Sequence, residues 1–152
     1  MNSGLLRKER IHENVLEKNF KLIGEIATLM MKSKIHSQFS INSIGHVILP
    51  AIQTNQYRIY RNRQHYPVAY VSWARVTPEI EDKFLHKKYV LQPEDWKSGE
   101  RIVFVDFMAP FGHTKQVVRD LRKSIFIKEK EAKFLRFDDI GKPRRVYHLR
   151  KK

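Results

Sequence analysis

The chain has no cysteine, which excludes disulfides and thiol catalysis. Glycine is scarce: Gly4, Gly24, Gly45, Gly99, Gly112 and Gly141 are all there is. None falls into G-x-G-x-x-G or G-x-x-x-x-G-K-[ST], the loops that bring backbone N–H groups around a phosphate. Nucleoside triphosphates and dinucleotides are therefore disfavoured as cofactors. No H-E-x-x-H is present, no two histidines have the spacing of a zinc helix, and no G-x-S-x-G elbow supports a hydrolase serine. No metal is expected. No apolar run approaches the roughly 20 residues needed to cross a bilayer. The opening MNSGLLRKERIHEN lacks the apolar centre of a secretory signal. These absences point to a cytoplasmic protein without stable membrane insertion.

Acidic residues are also in short supply. Thirty Lys and Arg against sixteen Asp and Glu leave a net charge of +14 over 152 residues. Such a field attracts polyanions: nucleic acid, an acidic membrane or an acidic protein partner. Charge taken alone points to a nucleic-acid-binding module. Yet no RNP1-like or zinc-finger pattern accompanies it, and the charge does not name its anion. With 41% hydrophobic residues the chain should fold, and its length suits one domain. Residues 1–14 are polar and read as a flexible extension, leaving 15–152 as the domain.

Leu16, Phe20, Ile23, Ala27 and Met30 recur at helical spacing and predict a helix over about 15–32. Ile41 to Ile52 is apolar and reads as a short helix or an extended piece. Gln56–Arg61 and Tyr66–Val76 read as strands of a hairpin turning at Asn62–His65. Thr77 should cap a short helix over Pro78–Leu85 with acidic residues in its first turns. Arg101–Met108 is nearly all apolar, as in a strand covered on both faces. Thr114–Ile125 repeats at helical spacing, with Val117, Val118, Leu121 and Ile125 inward. Lys133–Asp138 and Arg145–Leu149 are further strands. The sum is an α+β domain with helices around a central, mostly antiparallel sheet.

Within that frame Asp106 stands out, because a carboxylate in a buried strand is costly unless paired or hydrogen-bonded. It is either a strand-end residue that caps a turn or pairs with a surface arginine, or it has a catalytic or orienting role. His36 follows the first helix in a small polar loop. A lone histidine there is a surface or core residue or an acid–base catalyst. Ser33, three residues earlier, is a helix-end cap, a substrate hydrogen-bond partner or a nucleophile. Lys115, Arg119, Arg122 and Lys123 make the predicted helix basic, so it is either a solvated face or a dock for an anionic partner.

Several longer words are specific. Ser33-Lys34-Ile35-His36 resembles an S-x-x-H segment. Leu49-Pro50-Ala51-Ile52-Gln53-Thr54-Asn55-Gln56-Tyr57 resembles LPAIQ-x-NQY, and Tyr66–Ala74 resembles YPVAY-x-SWA. Glu94–Gly99 and Asp106–Gly112 resemble EDW-x-SG and D-x-x-APFG. In this order, over about residues 20–125, they resemble the RTX toxin-activating lysine acyltransferases. The resemblance implies a fold like the GCN5-related N-acetyltransferases, cytoplasmic action and a homodimer. It implies acyl carrier protein as donor, presenting the acyl group on phosphopantetheine with no cofactor bound to the enzyme. It also implies a lysine of an RTX protoxin as acceptor, and no nucleic-acid partner. It places catalytic roles on His36 and Asp106 and supporting or substrate-binding positions at Ser33 and Gly99. Phe84 departs from the pattern, standing where a tyrosine is expected. The sequence ends soon after Arg145–Leu149, where relatives are expected to run on through a further helix.

A lysine amine is mostly protonated at neutral pH. Amide formation needs that proton removed and a thioester carbonyl attacked. His36 as base oriented by Asp106, Asp106 as base with His36 protonating the thiolate, and a covalent acyl-histidine all satisfy this. The missing glycine loop fits a donor carried on a protein: Pro110-Phe111-Gly112-His113 stands where a coenzyme A cradle would be. The acidic helix of that protein would meet Lys115, Arg119, Arg122 and Lys123.

Overall fold

A computed structural model describes residues 3–137 and 142–150; the side chains of 3–16, Phe137 and Arg144 lie outside that description. Five strands form one sheet in the order β1-β2-β3-β4-β5: β1 (Tyr57–Arg61), β2 (Pro67–Val76), β3 (Arg101–Met108), β4 (Glu131–Phe137) and β5 (Pro143–Arg150). All neighbours are antiparallel except β3 and β4. That parallel pair needs a crossover, provided by α4 (Thr114–Asp120) and the π-helical turn Leu121–Ile125 that continues it. The architecture is the expected α+β, with helices packed on a mostly antiparallel sheet. The last residue of the predicted Lys133–Asp138 strand, Asp138, lies outside the described residues.

Local chemistry explains the elements. The β1–β2 turn is held by the Asn62 side-chain oxygen, which accepts from the backbone N–H of Gln64 and Tyr66, each at 3.0 Å. The Thr77 hydroxyl accepts from Ile80 N at 3.2 Å and opens α3 (Pro78–His86), with Pro78 in the first turn. Ile41–Ile52 resolves into a π-helical turn, Ile44–Ile48, running into α2 (Leu49–Gln53).

Helix α1 runs Ser3–Lys32, twelve residues earlier than the periodicity suggests. Its backbone is therefore helical over most of the stretch read as a flexible extension. Leu, Arg, Lys and Glu dominate 5–10 and no proline intervenes, so local propensity carries the helix back. The buried stripe also differs from the expected one. Ile26, Leu29 and Met30 are buried, with Leu22 packed beside them, whereas Phe20 is 59% exposed. The helix is apolar on two faces, and contact with the sheet decides which one closes.

The sheet is covered on both sides. Helix α1, with Ile48 just before α2, packs on Tyr70 and Met108. Ala51 of α2 and Trp96 close over Ala74, Val76 and Val103. On the opposite face Val117 and Leu121 of the crossover close over Val71, Trp73 and Phe104.

Candidate active site

The centre of the molecule is where β2 and β3 lose register. Tyr70 pairs with Met108 and Ser72 with Asp106, but the next pair is Trp73 with Phe104. Val105 is the extra residue of a β-bulge. In a regular strand Phe104 and Asp106 would share a face. Here Phe104 packs with Trp73 under the crossover, while Asp106, opposite Ser72, turns to the α1 side with Tyr70 and Met108. The bulge thus re-aims a carboxylate out of one core toward a different partner.

That partner is His36. Helix α1 ends at Lys32, Ser37 N reaches back to Ser33 O at 2.9 Å, and a 3-10 turn, His36–Gln38, follows. The turn lays the imidazole over the bulge. His36 Nε2 lies 3.2 Å from Asp106 Oδ1, and His36 Nδ1 lies 2.7 Å from Ser33 Oγ. The His36 side chain is 10% exposed and that of Asp106 5%. The Phe39 ring sits 5.0 Å from the imidazole, tilted by 52°. Ser33, His36 and Asp106 therefore form one hydrogen-bonded line, joining residues 70 positions apart in the chain.

The protonation pattern follows from who can donate. An ionised carboxylate only accepts, so Nε2 carries the proton toward Asp106. In the neutral ring Nδ1 then bears the lone pair, and Ser33 O–H donates to it. The basic nitrogen is the one facing Ser33. Nearby, burial and then the charge of Asp106 push the Tyr70 phenol above its ordinary range, so it stays a neutral donor.

The other sequence candidates fall elsewhere. Gly99 lies against the end of β2: its N–H bonds Arg75 O at 3.1 Å, and a Cβ there would stand 2.5 Å from Val76 C and O and Thr77 N. That is a close backbone approach, four residues along β2 from Ser72, beside a cleft lined by Gln56, Trp73 and Lys97. Lys115, Arg119, Arg122 and Lys123 do come together, around one surface concavity with Thr114 and Val118. It lies on the crossover side of the sheet, away from His36. Phe84 packs into the apolar cluster of Ala74, Val76 and Trp96. Among the described residues no group of three His, Asp or Glu is placed to hold a metal ion, and no helix is long and apolar enough to cross a membrane.

Tyr70 and Ser72 escaped the sequence reading. Their signal was available: two hydroxyl residues at i and i+2 on the same side of a strand otherwise apolar, with Val71 between them.

A model of the RTX toxin acyltransferase family matches residues 15–149. The chain belongs to that family. This acyltransferase is 35% identical over 107 residues to the lysine-acyltransferase RtxC of Vibrio cholerae, covering 70% of each chain. It is 38% identical over 108 residues to the protein-lysine myristoyltransferase HlyC of Escherichia coli, covering 71% of this chain and 63% of that one. It is 39% identical over 133 residues to an uncharacterized protein of Synechocystis, covering 87% of each.

Proposed function

We propose that this acyltransferase moves a fatty acyl group from acyl carrier protein to the ε-amine of internal lysines of an RTX protoxin, in the cytoplasm and as a homodimer. The observation that carries the chemistry is the His36–Asp106 contact, made by a bulge and a helix-end turn within a family of acyltransferases. The names of the relatives support lysine as acceptor.

In this mechanism Asp106 Oδ1 holds Nε2–H and fixes the tautomer, leaving Nδ1 basic. The lysine ammonium replaces the Ser33 hydroxyl at Nδ1 and gives up its proton there. The free amine attacks the thioester carbonyl, a C–N bond forms and the C–S bond breaks. The leaving thiolate takes that proton back from the imidazolium, which Asp106 has stabilised meanwhile, and the freed imidazole takes the second proton off the new amide nitrogen and releases it to solvent. Ser33 holds the basic nitrogen in line before substrate arrives.

The donor would dock on the basic concavity of the crossover, which offers four cations to an acidic helix. Pairing between β3 and β4 covers only Ile102–Phe104 with Ala132–Phe134, so the half of β3 that bears Asp106 has no β4 neighbour. A slender thioester arm would reach His36 along that gap.

Co-expression with an RTX protoxin and mass spectrometry of its lysines tests the reading. Acylated lysine is expected with the wild-type chain and is lost with His36→Ala; unmodified toxin alongside folded wild-type enzyme would sink it. Reversing Lys115, Arg119, Arg122 and Lys123 should raise the donor's KM and flatten its salt dependence. Unchanged donor kinetics would move the docking face elsewhere.

A further inference from the structure

Three buried oxygens beside the dyad, Tyr70 Oη, Ser72 Oγ and Asp106 Oδ2, are left short of hydrogen-bond partners, the Tyr70 and Ser72 hydroxyls having at most each other. Tyr70 and Ser72 are completely buried and Asp106 is 5% exposed. Unpaired polar atoms are rare in protein interiors because each loses its hydration without compensation, so three on one patch need a reason. They share the patch by construction: Ser72 is directly opposite Asp106 in the sheet, and Tyr70 is two residues along β2 on the same side. Two of the three can donate, and the third belongs to a carboxylate whose other oxygen is taken by His36.

We propose that Tyr70 and Ser72 are positioning residues for Asp106, their hydroxyls holding Oδ2 through one shared water, so that Oδ1 stays turned on His36. The proposal rests on the dyad reading of the site. A carboxylate free at Oδ2 would swing about its last bond and loosen the His36 contact. Two donors behind it remove that freedom and favour the ionised form that His36 needs. From α1 the packed residues are Ile26, Leu29 and Met30, and α2 carries no titratable side chain. The titratable groups facing the carboxylate are His36, Tyr70 and, stacked 6.3 Å behind Tyr70, Tyr57. The elevated proton affinity of the Tyr70 phenol keeps it a donor throughout the working range.

The test uses Tyr70→Phe and Ser72→Ala in the full chain. Each deletes one oxygen and adds no volume. With the hydroxyl gone, negative charge concentrates on Oδ1 and favours the imidazolium. The His36 titration followed by NMR, and the acid limb of kcat/KM, should therefore both move up by about half a pH unit. kcat should fall about tenfold with KM for a lysine peptide unchanged. If Tyr70→Phe does not fold, Ser72→Ala is read alone. A His36 titration and acid limb at their wild-type positions would overturn the proposal, whatever happens to Tm, because a purely structural hydroxyl changes stability without touching either. The NMR reading needs no turnover, so it stands apart from failure of the dyad itself, which full activity in His36→Ala would reveal.

Discussion

The two faces of the β2–β3 centre carry the same kind of backbone and opposite kinds of side chain. Under the crossover Trp73 and Phe104 meet Phe126 edge-on, at 5.5 and 5.3 Å between centroids and 79° and 89° between planes. This is a dry aromatic junction with every group in favourable geometry. Under α1 the same two strands present Tyr70, Ser72 and Asp106, buried with unpaired oxygens, and an imidazole that reaches them from a turn. One face is arranged for stability. The other holds polar atoms at a stability cost and brings an imidazole to a carboxylate, the separation expected if it is the proposed site.

The largest test of that contrast is Asp106→Asn. The amide keeps the shape but removes the acceptor charge that fixes the His36 tautomer, so activity should fall by about 10²–10⁴-fold. Thermal stability should hold or rise, because a buried charge has been removed. A large drop in Tm with it would blur the contrast between faces. Next comes Phe126→Ala on the dry face, expected to cost about 3–5 kcal/mol in denaturant unfolding. Activity per folded molecule should stay near wild type; a loss like that of Asp106→Asn would mean the faces are coupled. Gly99→Ala lies on neither face. Its new methyl meets backbone, not a movable side chain, and overpacking should cost about 1–3 kcal/mol. Acyl transfer should fall in step with the folded fraction; a selective rise in a substrate's KM would instead place Gly99 in a binding site.

The smallest effect is at the rim of the α1 side. There the Arg61 guanidinium hydrogen-bonds Glu25 at 2.6 and 3.0 Å and holds its carboxyl below the ordinary glutamate value, with burial opposing. A depressed carboxylate adds stability above the unfolded-state pKa and loses it as pH falls through the lower folded value. Glu25→Gln should therefore cost about 0.5–1 kcal/mol at neutral pH. Its stability curve should merge with wild type in acid, below the usual glutamate range. Curves that stay parallel across that range would show packing, not charge, at this position.

Much of the architecture was legible because it is local. Asn62 makes its turn, Thr77 caps its helix, and the apolar run Arg101–Met108 is a doubly covered strand, each for reasons contained within a few neighbouring residues. The burial of α1 was less legible: Phe20 and Met30 both fit a helical stripe, but only Met30 meets the sheet. Asp106 announced itself by being a carboxylate in an apolar strand, whereas His36 and Ser33 were candidates with several readings until the resemblance to a family favoured one. Tyr70 and Ser72 were hidden among strand-forming neighbours.

Most element types, the family and the residue types available for proton transfer could be read from the chain alone, since propensity, periodicity and long shared words need no third dimension. Only tertiary structure decided that Asp106 faces His36. Alternation along β3 points its side chain the other way, and one unpaired residue, Val105, reverses it. A bulge is a property of two strands in register, and no single strand's sequence contains it.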